Sequence, residues 1–169
     1  MHAPKNIVLI GFMGTGKSSV GKGLAARLGL TFLDMDAMIE QREGKPISRI
    51  FAENGEPHFR ALERALTQEL AARTGLVIAT GGGIVLNPDN PSDFASTGLV
   101  VCLQATPETI LSRVQHETHR PLLASGDKMT KIRELLAKRQ HLYDAIPHQI
   151  DTNDLTVDAV VARIAALYR

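Results

Sequence analysis

The sequence predicts an α/β fold in three layers: a five-stranded parallel sheet with helices on both faces. Three observations carry that prediction. The run Ile7-Val8-Leu9-Ile10 is continuously apolar and largely β-branched, as a strand covered on both faces must be. It ends in the glycine-rich turn Gly11-Phe12-Met13-Gly14-Thr15-Gly16-Lys17-Ser18, behind which Val20, Leu24 and Leu28 fall at helical spacing until Gly29 stops the pattern. Further short apolar runs then alternate with helical patterns to the end of the chain, the signature of right-handed strand-helix-strand crossovers.

The strand-turn-helix setting gives Gly11, Gly16, Lys17 and Ser18 a chemical meaning, because their spacing is G-x-x-x-x-G-K-S. Glycines let successive N–H groups curl inward, and the helix N-terminus adds partial positive charge, so an anion sits there favourably. Lys17 supplies a mobile charge for the β- and γ-phosphates of a nucleoside triphosphate, and the Ser18 hydroxyl an oxygen for Mg²⁺. Nucleotide contacts are expected from Gly14, Thr15, Gly16, Lys17, Ser18 and Ser19.

At 169 residues the chain fits one domain, 1–169, able to bury about two thirds of its unfolded surface. A net charge of +1 and 22% charged residues give no excess of basic residues for a nucleic-acid footprint. No apolar run approaches a membrane span, and the glycines at 11 and 14 interrupt the first one before it forms a signal core. The lone Cys102 excludes an intramolecular disulfide and a cysteine-rich metal site, and reads as a small apolar strand residue of a reducing compartment. A cytoplasmic monomer acting on small molecules is the expectation.

Leu30 to Leu33 is the second apolar run and leads into Asp34-Met35-Asp36. In an extended segment both carboxylates share a face. If that segment lies parallel beside the first strand, its end opens onto the phosphate loop. One aspartate would then hold Mg²⁺, directly or through water, and the other would orient or deprotonate a hydroxyl. The competing reading makes them caps of a helix over Ala37 to Arg42. Between Glu43 and Arg73 the spacing of Ile47, Ile50, Phe51, Phe59, Leu62, Leu66 and Leu70 predicts two helices joined at Asn54-Gly55-Glu56-Pro57. Arg60 either pairs with Glu63 on its own helix or presents its planar fork to a carboxylate substrate.

Leu76 to Ala79 is the third strand, followed by Gly81-Gly82-Gly83, where something must approach the backbone closely. It ends without an acidic residue, which argues against motor ATPases. Asn-Lys-x-Asp, His-Arg-Asp and Asp-Phe-Gly are also absent, which argues against GTPases and protein kinases. Asn87 to Ser92 reads as a loop, Leu99 to Leu103 as a strand, and Thr106-Pro107 as the start of a helix carrying Arg113. The polar stretch 115–128, with Arg120 at its centre, reads as a lid, and its His116 and His119 as merely solvated. Met129 to Tyr143 is helical, with Ile132, Leu135, Leu136 and Leu142 apolar and Arg139 directed elsewhere. His148 to Asp151 is a fifth strand. The last helix, Thr156 to Tyr168, turns Val157, Val160, Val161, Ile164 and Leu167 inward. Residues 36–73 form a helical excursion placed to cover a substrate.

These motifs together resemble the shikimate kinases, within the nucleoside-monophosphate-kinase-like branch of phosphate-loop proteins. The resemblance runs from about Asn6 to the final helix. It rests on residues 11–18, Asp-Met-Asp at 34–36, Ile-Phe-Ala-Glu-Asn-Gly-Glu-Pro-His-Phe-Arg-Ala-Leu-Glu at 50–63, the triple glycine, Arg-Pro-Leu-Leu at 120–123 and Lys-Arg-Gln-His-Leu-Tyr at 138–143. It implies the P-loop NTP hydrolase fold with strand order 2-3-1-4-5, and transfer of the ATP γ-phosphoryl group to the 3-hydroxyl of shikimate. By position, Arg60 and Arg139 would clamp the substrate carboxylate, Gly81, Gly82 and Gly83 would approach its ring, and Phe51 and Phe59 would line the pocket. Asp36 would bind the reacting hydroxyl as candidate base, Ser18 and Asp34 would hold Mg²⁺, Lys17 and Arg120 would balance phosphoryl charge, and Arg113 would lie against adenine. One departure stands at the adenine loop: many relatives carry basic residues and a proline after the Asp-Thr-Asn found here at 151–153, where this chain has Asp154-Leu155-Thr156. The competing functions are a kinase for gluconate or another hydroxy acid, and a nucleotide-binding regulator without catalysis.

Overall fold

A computed structural model describes residues 5–115 and 126–169. In chain order the elements are β1 (Asn6–Gly11), α1 (Lys17–Leu28), β2 (Thr31–Asp34), α2 (Met35–Glu43), α3 (Ile47–Asn54), α4 (Glu56–Ala71) and β3 (Leu76–Ala79). A 3₁₀ turn at Ile84–Leu86 leads to α5 (Asp89–Thr97), β4 (Gly98–Gln104), α6 (Pro107–Val114), α7 (Lys128–Asp144), β5 (His148–Asp151) and α8 (Val157–Tyr168).

The five strands form one sheet in the order β2-β3-β1-β4-β5, every pairing parallel. The expected order is therefore observed. The arrangement in which β2 lies directly beside β1 is not: β3 returns into that place and leaves β2 at the edge, with Thr31 exposed. All six residues of β1 are buried, and the pleat divides them between two cores. Val8 and Ile10 join the core beneath α2 to α7, whereas Ile7 and Leu9 join the one covered by α1 and α8. Buried Asn6 fastens the opposite end of the sheet: its amide donates to the Arg73 carbonyl at 2.8 Å, and its Oδ1 accepts from the Leu76 N–H at 3.0 Å. The end of α4 is thereby locked to the start of β3.

Two sequence expectations are corrected here. Of the expected loop Asn87 to Ser92, only Asn87 and Pro88 stay outside a helix; Asp89 to Ser92 open α5. Pro88 is the N-cap and Pro91 lies in the first turn, where no N–H has an intrahelical partner to lose. Fully buried Phe94 anchors the helix. In α8 the inward stripe is Val160, Val161, Ile164 and Ala165, while Val157 and Leu167 are exposed. Ala165, one turn beyond Val161, continues the stripe that Leu167 was expected to extend. Cys102 is buried in β4 as expected, and desolvation pushes its thiol up to about 12.

Candidate active site

The parallel sheet brings the turns after β1, β2 and β3 to one edge, where a cavity of about 520 Å³ opens. That is within the usual range for a small-molecule site.

One end of the cavity is the turn after β1. Gly14 and Gly16 have φ of +76° and +97°, a left-handed backbone that side chains disfavour. Thr15 turns its side chain inside the loop, where the hydroxyl donates to the Phe12 carbonyl at 2.8 Å and fixes the curl. The Lys17 ammonium donates to the Gly11 and Phe12 carbonyls at 2.6 and 2.9 Å, at the mouth of the loop. α1, entered through its N-cap Gly16, has no side-chain cap and no acid in its first turn; α3, α4 and α5 likewise lack a side-chain cap, whereas α2, α6, α7 and α8 are capped by Asp34, Thr106, Asp127 and Thr156. The first N–H groups of α1 thus face the cavity uncapped, beside Ser18 and Ser19. The Ser18 hydroxyl donates to Asp34 Oδ2 at 3.0 Å, so two hard oxygens meet at the edge of the phosphate seat. Among the described residues no group of three or more His, Cys, Asp or Glu forms a metal cage. Two protein oxygens instead suit a cation that arrives with substrate phosphates and its own waters.

The two aspartates are not arranged as an extended pair. Asp34 ends β2 and caps α2, accepting from the Ala37 N–H at 3.1 Å, and Asp36 lies in the first turn of that helix. The capping geometry describes the backbone, yet both carboxylates line the cavity because the helix starts at its wall. Arg113 bridges the phosphate loop and the loop after β5, donating to the Gly14 carbonyl at 2.9 Å and to the Thr152 carbonyl at 3.3 Å. Arg120, with His116, His119 and most of the expected lid, lies outside the described residues.

The other end of the cavity is built on the triple glycine. A methyl group at Gly81 would sit 2.9 Å from Asp36 Oδ1 and 3.1 Å from Glu63 Oε2, and one at Gly83 would lie 2.4 Å from the Arg60 guanidinium. At Gly82 the same atom would meet the phosphate loop, 3.4 Å from the Met13 nitrogen. Gly81 and Gly83 are thus crowded by charged side chains, whereas Gly82 is at ordinary contact distance from the backbone of the phosphate loop. Phe51 and Phe59 pack with ring centres 5.1 Å apart on one wall, and the Arg60 guanidinium lies 5.2 Å from the Phe59 ring centre. Arg60 makes the pairing with Glu63 at 3.1 Å, adds Glu56 at 3.2 Å, and still faces the cavity. Arg139 shares the buried face of α7 with Ile132 and Tyr143 and reaches the cavity beside Gly82.

Two residues here carry more than the sequence reading assigned. Glu63, only 1% exposed, continues the buried stripe of Phe59, Leu66, Thr67 and Leu70. A carboxylate on an apolar face was the available signal. Desolvation pushes its carboxyl up to about 7, against the pull of Arg60 and with the Asp36 charge adding to the rise. Tyr143, one turn after Arg139, donates its hydroxyl to the Gly82 carbonyl and sets its ring edge-on to Phe12. Burial pushes the phenol up to about 12, so it remains a donor at any working pH.

A phosphate-loop sheet, an uncapped helix N-terminus and an arginine-lined pocket for a small anion define a phosphoryl-transferring enzyme. The shikimate kinase family model matches residues 13–168. A shikimate kinase of Pelotomaculum thermopropionicum is 47% identical over 95% of this chain and 93% of its own length. The shikimate kinase of Acinetobacter baumannii, solved in complex with shikimate, superposes with a TM-score of 0.92 at 38% identity, covering 96% of this chain and 92% of that one. The chain belongs to the shikimate kinase family, ATP-dependent kinases that transfer a phosphoryl group to shikimate. A gluconokinase of Sinorhizobium meliloti reaches a TM-score of 0.59 at 20% identity, a likeness of fold alone.

Because the fold favours protonated Glu63, this group's stabilisation is full below pH about 4.5 and is lost as pH rises through about 7. Thermal melts of the Glu63→Gln variant and the parent should therefore differ increasingly in the variant's favour between pH 5 and 8. A pH-independent difference would remove Glu63 from the set of shifted groups.

Proposed function

We propose that this chain transfers the γ-phosphoryl group of ATP to the 3-hydroxyl of shikimate, with the phosphate loop as the donor half and the glycine ridge as the acceptor half. The observation that carries this reading is the pair Arg60 and Arg139 on one pocket wall, contiguous with the phosphate loop through Gly82. Two guanidinium forks suit a carboxylate, and a nearby carboxylate suits a hydroxyl. In this reading Arg60 and Arg139 orient the acid, Phe51 and Phe59 flank its ring, and Asp36 receives the reacting hydroxyl. Asp36 is the candidate base, although a loose transition state asks more for alignment than for early ionisation.

At the donor end Gly14 to Ser19 cradle the phosphates and Lys17 tracks the transferring charge. Arg120 is assigned the same role from the lid, and Arg113 supports the base from beside Thr152. Ser18 and Asp34 would hold Mg²⁺, whose contribution is to neutralise charge between the β- and γ-phosphates. Their 3.0 Å contact and the lack of a three-ligand cage among the described residues support a metal carried in with the nucleotide. The reading takes the working unit as a cytoplasmic monomer.

With Mg²⁺ and ATP supplied, ADP release should follow addition of shikimate and not of gluconate. Turnover with gluconate alone would overturn the assignment. Arg139→Ala should weaken shikimate binding by about 2–4 kcal/mol and leave the affinity for ATP nearly unchanged. Selective loss of ATP affinity in titration calorimetry would place Arg139 at the phosphates instead.

A further inference from the structure

The acceptor pocket holds an anion that neither a donor nor an acceptor role accounts for. Glu63 is almost wholly buried, and only one of its oxygens is used by Arg60. The other, Oε2, has no hydrogen-bond partner among the described residues, and points to the position beneath Gly81 on which Asp36 Oδ1 also converges. The charged groups around it come from three helices. Arg60 on α4 pairs with it at 3.1 Å and is shared with Glu56 of the same helix at 3.2 Å; Asp36 faces it from α2; Arg139 faces it from α7. Two cations thus face Glu63 and Asp36, with half-exposed Glu56 at the rim.

That balance changes when an acid enters. A substrate carboxylate seated on Arg60 and Arg139 adds a negative charge to the same pair of guanidinium groups and displaces water from the cavity. Both changes disfavour an ionised carboxylate nearby, and Glu63 already stands close to half-protonation at neutral pH. A proton on Oε2 would also turn an acceptor into a donor directed at the ridge, while Oε1 goes on holding Arg60.

We propose that Glu63 is a positioning residue that takes up one proton from solvent when the anionic acceptor binds, so that substrate binding is proton-linked. The proton passes to Oε2 from the buffer and returns to it when the acceptor leaves; no other bond is made or broken. This inference rests on the acceptor assignment given above. Asp36 contributes to it as a neighbouring negative charge that pushes the Glu63 carboxyl up.

Titration calorimetry of shikimate into the nucleotide-free protein tests it, since ATP and Mg²⁺ then contribute no protons. Run near pH 7.5 in buffers of different ionisation enthalpy, the titration should report uptake of about half a proton per site. Uptake should fall towards zero near pH 5.5, where Glu63 already carries its proton, and affinity should weaken roughly three- to tenfold between pH 6 and 8.5. In Glu63→Gln the uptake should vanish at every pH while shikimate still binds. Buffer-independent heats in the parent across pH 6 to 8.5, or undiminished uptake in the variant, would overturn the proposal. The parent's own uptake profile, peaking above pH 7, decides the matter if the variant fails to fold or bind. Absence of any shikimate binding by the parent would instead count against the acceptor assignment.

Discussion

The geometry of the site depends on the parallel pairing of β1 with β3. Ile7, Val8 and Leu9 stand opposite Val77, Ile78 and Ala79, so β3 ends beside Leu9, two residues before β1 ends, and the turns after both strands emerge at the same edge of the sheet. The Leu9 carbonyl extends the pairing by accepting from both the N–H and the hydroxyl of Thr80. Gly82 is thereby placed against the backbone of the phosphate loop, where an added methyl would lie 3.4 Å from the Met13 nitrogen. A phosphoryl donor on one turn and an acceptor on the other are then neighbours by construction, and little of the positioning that transfer requires is left to flexible parts.

Charge dictates how the remaining elements surround that junction. The donor end offers uncapped N–H groups and Lys17, all selecting for anion. The acceptor end places Arg139 at the wall, nine-tenths or more buried, and holds Arg60 between two glutamates. Guanidinium groups cannot shed their charge on burial, so nearby carboxylates must balance them until a substrate acid arrives. Glu63 meets that need, and in the proposed reading it is the carboxyl that takes up a proton when a substrate acid binds. The same excursion, α2 to α4, that supplies Asp36, Phe51, Phe59 and Arg60 also supplies this compensating charge.

Much of this was legible from the chain itself. The β-branched run before Gly11, the G-x-x-x-x-G-K-S spacing and the triple glycine define buried strands and close backbone approaches through local chemistry, which is what sequence records best. Features that failed depend on tertiary context. Pro88 and Pro91 resemble turn residues unless Phe94 is seen to be buried behind them, and Asp34-Met35-Asp36 reads as extended unless α2 is known to start at its centre. Spacing alone set Arg139 apart from the apolar stripe of α7, and only the fold shows that it shares the buried face with Ile132 and Tyr143 and lines the cavity. Glu63 was seen as a partner of Arg60, but its burial and the convergence on Gly81 involve residues from three distant stretches.

The central claim is that the two glycine turns assemble one site in which a phosphoryl group passes directly from donor to acceptor. The most direct measurement is phosphorus NMR of the products formed from ATP, Mg²⁺ and shikimate. A single new phosphate monoester coupled to the hydrogen on carbon 3 of shikimate is the expected result. ADP with inorganic phosphate and no new monoester, or phosphate on another hydroxyl, would contradict it.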